Sequence, residues 1–159
     1  MSNEETLVAA AVATWKNNLE RASKLFTNLD IAALEQQVAP GRNRLIYLWG
    51  HLAATHDKML HLLGVAERVH PEFDEIFLAS PDQTNDLPGA EVLRAWWDEV
   101  NRRLSGGIGR FTVNDWLAKH AAVAEEDFAK DPLRNRFSIL LTRTNHLAYH
   151  LGQAALAPR

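Results

Sequence analysis

The stretch FSILLTRTNHLAYHLGQAA, residues 137–155, decides the fold. Phe137, Leu140, Thr144, Leu147, Leu151 and Ala154 recur at spacings of three and four, which marks one face of an amphipathic helix. The pattern predicts a helix from about Leu133 to Ala155. His146 and His150 stand four residues apart inside it, each directly before a leucine of the stripe. Their rings therefore project from one face, at the border of the core.

The same period runs through three more segments. Ser2 and Glu5 have the form of a capping box. From there Val8, Val12, Trp15, Leu19, Ala22, Phe26 and Leu29 continue for about seven turns, until Pro40-Gly41 breaks the chain. A second helix is expected from about Asn43 to Leu63, with Leu45, Leu48, Leu52, Met59 and Leu62 on one side. Gly64 is placed to end it, although Val65 to Val69 offer an extension before Pro71. Residues 71–89, rich in Pro, Asp and Asn, read as a connection with one helical turn at Asp74 to Leu78. A third helix is expected to start near Asp86-Leu87-Pro88, to turn Leu93, Trp96, Trp97, Val100 and Leu104 inward, and to stop at Ser105-Gly106-Gly107. Between Ile108 and Pro132 the reading is a short helix capped by Asn114 or Asp115 and running through Val123. Glu125-Glu126-Asp127 follows as a helix start or a loop. No period-two run of β-branched residues predicts a strand. The fold expected is all-α, a four-helix bundle forming one domain over residues 1–159.

Composition fits that expectation and excludes several functions. The chain has 159 residues, 47% hydrophobic and 23% charged, the make-up of one globular domain. Its net charge of -3, with no cluster of Lys or Arg, leaves no electrostatic footprint for nucleic acid. Cysteine is absent, which excludes disulfides, Cys-ligated zinc, iron–sulfur clusters and a cysteine nucleophile. The acidic start Met-Ser-Asn-Glu-Glu and the short early apolar run predict neither a signal peptide nor a membrane span, so the expected location is cytoplasmic.

Seven histidines carry the chemistry: positions 51, 56, 61, 70, 120, 146 and 150. His51 directly precedes Leu52 on the second helix. With His146 and His150 it gives three imidazoles at the core borders of two helices, a set able to converge on one cation. A plainer reading stands beside this one, in which the histidines edge the core and hydrogen-bond to neighbours. Seven scattered histidines give an i, i+4 pair in roughly one such chain in four. Gln153 shares the face of the pair, either as a support for the ligands or as an exposed polar residue. The sequence His146-Leu-Ala-Tyr-His150 lacks the Glu that serves as general base in zincin peptidases, which disfavours peptidase activity.

Glu67-Arg-Val-His70 has the spacing of di-iron bundles, but such sites need two copies and further carboxylates. His56 and His61 project about 140° and about 80° away from His51, which points to surface or packing roles. His120 has no assigned role. Trp15, Trp49, Trp96, Trp97 and Trp116 read as core and rim, with a pocket mouth as the alternative for Trp49 and Trp116.

The stretch TNHLAYHLGQ (144–153) and the tripeptide Gly50-His51-Leu52 resemble motifs of the DinB-like (YfiT-like) metalloenzymes, a family unrelated to the polymerase that shares the DinB name. The resemblance extends over nearly the whole chain in helix order. It implies a four-helix bundle of the DinB/YfiT-like type, with His51, His146 and His150 as ligands of one divalent transition metal (zinc, nickel or iron). Some relatives are thiol-dependent S-transferases, so the resemblance also implies a low-molecular-weight thiol and a small electrophile as partners, and a homodimer. Leu147 and Leu151 stand where the family pattern often has Glu and Arg. Gly152-Gln153 is kept, and close helix packing is the role expected of that glycine. Two other classes stay open: metal-dependent hydrolysis through an activated water, and a non-catalytic bundle that binds metal or a small ligand.

Overall fold

Ser2 Oγ accepts from the Glu5 N–H and the Glu5 carboxylate accepts from the Ser2 N–H, closing the capping box that starts α1 (Asn3–Thr27). The computed structural model describes residues 1–82 and 86–158. A short helix that the sequence did not announce, α2 (Ile31–Leu34), follows on an Asp30 cap. Gly41 then turns the chain with φ +71°, in the left-handed region that favours glycine. Helix α3 spans Leu45–Leu62. Gly64, at φ +66°, ends it: its N–H donates to His61 and the Val65 N–H donates to Leu60. This left-handed cap turns the chain away from the axis, so Val65 to Val69 do not extend the helix.

Residues 71–79 form a 3-10 turn (Pro71–Phe73) and a wide π-helical turn (Glu75–Ala79), where one helical turn was expected. The remaining helices are α4 (Ala90–Ile108), α5 (Val113–Leu117), α6 (Glu125–Lys130) and α7 (Arg136–Ala155). The long helices α1, α3, α4 and α7 pack α1 against α7, α7 against α3, and α3 against α4. Among the described residues there is no strand, only isolated bridges at Gln37–Arg44 and Lys119–Asn135. No helix among them is long and apolar enough to cross a membrane.

One buried cluster unites the four long helices: Trp15 and Phe26 from α1, Leu52 and Met59 from α3, Trp96 and Trp97 from α4, Leu140 and Leu147 from α7. Each such side chain contributes about 1.5–3 kcal/mol on burial. All five tryptophans are buried. Trp49 stacks on Phe26 with centroids 5.6 Å apart, and Trp116 stands edge-on to Phe111 and Phe137; Trp116 borders a cleft with Val12 and Phe111, and neither tryptophan lines the cleft at His150.

Several expected boundaries are corrected. Helix α4 does not stop at Ser105-Gly106-Gly107 but continues to Ile108; Gly107 lies against Val65, where a methyl group would overlap that side chain. Its start is at Ala90 on a Gly89 cap rather than at residues 86–88. Helix α5 is capped by Thr112, with Asp115 as the reciprocal member of a capping box, and it ends at Leu117 rather than Val123. Helix α7 begins at Arg136 rather than Leu133, because Asn135 caps it by accepting from the Ser138 N–H.

Candidate metal centre

His51 on α3 and His146 and His150 on α7 meet where the two helices pack, each half-buried. One ring nitrogen from each lies within 4.8 Å of the other two. His146 Nε2 is 3.0 Å from His51 Nε2 and 3.1 Å from His150 Nε2. The three histidines read from the sequence are therefore brought together.

The far side of two rings fixes what the near side can do. The π-helical turn ends at Ala79, so the Phe77 carbonyl has no helical turn beyond it to accept from. It takes the His51 Nδ1–H at 2.7 Å, with the Tyr47 hydroxyl also within reach at 3.4 Å. A carbonyl can only accept, so His51 Nδ1 carries the proton and Nε2 keeps its lone pair. Gln153 Oε1 lies 2.8 Å from His150 Nδ1 and fixes the same tautomer there. Gln153 is thus a support for a candidate ligand rather than an exposed polar residue.

Two lone pairs consequently point at His146 Nε2, which holds at most one proton and can serve one of them. A cation satisfies all three nitrogens. Bonds of about 2.0–2.1 Å to imidazole place neighbouring nitrogens about 2.8–3.4 Å apart between a right angle and the tetrahedral angle. The two short separations seen here fall in that range. With Nε2 turned to a metal, His146 would carry its proton on Nδ1, a buried atom with no protein partner. The donor set of three imidazoles without sulfur or carboxylate suits zinc, nickel and iron alike.

The electrostatics favour neutral rings, the form that binds metal. Burial lowers the proton affinity of all three, and it pushes His146 down to about 3, helped by His150 and His51 beside it. No carboxylate joins the cluster among the described residues. A cleft of about 710 Å³ opens beside His150, bordered by Arg42, Asn43, Tyr149 and Gln153.

The other histidines stay apart. His56 is fully buried between Trp15 and Trp97, at centroid distances of 4.7 and 5.0 Å. Its Nδ1–H donates to Asn101 Oδ1 at 2.8 Å, while Asn101 Nδ2 donates to the Trp97 carbonyl at 2.8 Å. His61 is exposed. His70 pairs with Glu72 and stacks on Phe73, and Glu67 forms no metal-ligand group with it. His120 Nδ1 accepts from the Ala122 N–H at 3.2 Å.

Gly152 does not serve close packing, since a methyl group there would meet open space. Two residues of the site, Phe77 and Arg143, were not read from the sequence. Phe77 gave no local signal, because its meeting with Gly50 depends on how the 64–82 connection folds back. Arg143 was readable, standing three residues before His146 and seven before His150 on the same face.

Compared with protein-family models and with curated proteins, the sequence matches none.

Proposed function

We propose that this chain is a four-helix bundle of the DinB/YfiT-like type that holds one divalent transition metal on His51, His146 and His150. We further propose that it uses the metal to transfer a low-molecular-weight thiol onto a small electrophile. The observation that carries the reading is the convergence of three Nε2 atoms, two of them with lone pairs fixed by Phe77 and Gln153.

A divalent ion on three neutral imidazoles keeps open positions and lowers the pKa of a thiol or water that reaches it. The protein's own residues supply the rest. His51 and His150 are held in the binding tautomer, so little reorganisation is needed when the metal enters. Buried Leu147 and Leu151 lock α7 in register on the core, which aims both of its rings. The cleft beside His150 gives an external molecule a route to the cluster. No carboxylate stands in the trio to take the thiol proton, so that proton passes to solvent; as the new bond to sulfur forms, the electrophile either releases its leaving group with the electron pair or, in an addition, takes a proton back from solvent. With no cysteine in the chain, the sulfur must arrive with a cosubstrate.

The test is a thiol-addition assay with metal-loaded protein, a panel of low-molecular-weight thiols and a reactive electrophile. Turnover that exceeds a His150→Ala control and disappears on chelation supports the reading. Turnover no faster than that control for every thiol removes the transferase activity and leaves metal binding to be judged separately.

A further inference from the structure

Arg143 is half-buried on α7, and its Nε atom is shut off from solvent with no hydrogen-bond partner. It makes no ion pair among the described residues. A guanidinium stays charged in proteins, and burying it without a counter-charge is costly. Burial is the reason its proton is held less tightly than usual. Its positive charge is felt by His51, His56 and His146 alike, lowering the proton affinity of each. Arg143 stands three residues before His146 on α7, about one turn along the same face and on the side away from Gln153.

The charge count around the cluster is one-sided. Three neutral rings, one guanidinium and a divalent ion would give a local charge of +3, with no carboxylate among the described residues joining the cluster to offset it. The cleft on the opposite flank carries another arginine, Arg42, and no Asp or Glu. An anionic group on a ligand would offset the charge that the protein's own residues leave uncompensated. Guanidinium has the planar fork that matches a carboxylate or phosphate through paired N–H donors.

From these observations, and resting on the metal reading above, we infer that Arg143 is the anchor of an oxyanion subsite beside the histidine cluster, so that the ligand brought to the metal is a small anion bearing a carboxylate or phosphate group.

Cobalt(II)-loaded protein tests this without any turnover, because its visible spectrum reports what reaches the metal. Acetate and methyl phosphate are titrated separately into wild type, Arg143→Gln and Arg143→Lys, and cobalt affinity is measured for each. At least one of the two anions is expected to bind wild type and to lose about 10- to 100-fold in affinity in Arg143→Gln. Arg143→Lys, which keeps the charge and loses the fork, is expected to fall between them. Cobalt affinity is expected to hold or rise in Arg143→Gln, because a repelling charge has gone; a merely structural arginine would weaken it instead. The anion that shows the loss identifies the oxyanion as carboxylate or phosphate. Equal anion affinity in wild type and Arg143→Gln, or no anion binding to wild type, overturns the subsite and leaves the metal reading intact. If Arg143→Gln fails to fold, Arg143→Lys decides alone: unchanged affinity for both anions overturns the inference. Failure of wild type to take up cobalt overturns the metal reading and this inference together.

Discussion

Gly50 and Phe77 meet with no room for a methyl group between them: a Cβ on residue 50 would overlap the Phe77 ring. The neighbouring residue on α3 is His51, and its Nδ1–H donates to the carbonyl of that same Phe77. One contact thus sets how closely the 64–82 connection lies on α3 and how the first candidate ligand is aimed.

Gly50→Ala is therefore expected to weaken metal binding about 10- to 100-fold and to destabilise the protein by about 1–3 kcal/mol. The same change at Gly152, where a methyl group meets nothing, is expected to stabilise by up to about 1 kcal/mol. Competition titration with a metal indicator and urea unfolding measure both effects. Wild-type metal affinity in a destabilised Gly50→Ala protein would show that Phe77 does not orient His51.

Gln153 acts on metal through His150. Replacing it with Ala removes the acceptor at 2.8 Å and frees the ring to turn. Metal affinity is expected to fall about tenfold or more, whereas Gln153→Glu keeps an acceptor and should retain most of it. Identical affinities in the Ala and Glu variants would count against this role.

His56 makes stability depend on pH. Burial pushes its folded-state pKa down to about 3, well below the unfolded value of about 6.5. Below about pH 6.5 the unfolded chain takes a proton there that the folded chain refuses, so stability falls as pH falls. The expected slope is about 1.4 kcal/mol per pH unit from this residue between about pH 6 and 4. His51, His146 and His150 add to the trend in metal-free protein, because their proton affinities are lowered too. Urea unfolding of metal-free protein across that range reads the total slope. His56→Gln, which still offers Asn101 a donor, should reduce it by about one proton; an unchanged slope would mean that His56 titrates in the folded state.

Asp57 holds the connection that carries Phe77. Its buried carboxylate accepts from the Val69 and His70 N–H groups at 2.7 and 3.1 Å and stands 3.5 Å from Arg68, which also pairs with Asp74. Asp57→Ala leaves two backbone donors without acceptors and is expected to cost about 2–4 kcal/mol. Amide exchange at Val69 and His70 should quicken in the variant. Protected amides there would indicate that other groups hold the connection.

Periodicity made α1, α4 and α7 legible because each buries one stripe, and a repeating stripe needs no knowledge of its partner; α3 is buried on nearly every side, so its stripe marked the helix but not the extent of its burial. The cap at Ser2 and the glycine turn at 64 were legible for the same reason, since both are local chemistry. The end of α4 was misplaced because Gly106-Gly107 looks like a stop, whereas Gly107 is there to admit Val65 from another segment. The three histidines were legible from spacing on α7 and from a motif on α3. Their supports divide along the same line: Gln153 sits within reach on the same helix, while Phe77 is distant in sequence and offers a backbone atom that any residue type could supply.

The central claim is a shared metal on three rings, and metal content measured after loading and exhaustive dialysis tests it most directly. The account predicts about one zinc, nickel or iron ion per wild-type chain, and less than about a tenth of that in a His146→Ala, His150→Ala double variant. A wild-type chain that retains no metal, or a double variant that keeps a full equivalent, contradicts it.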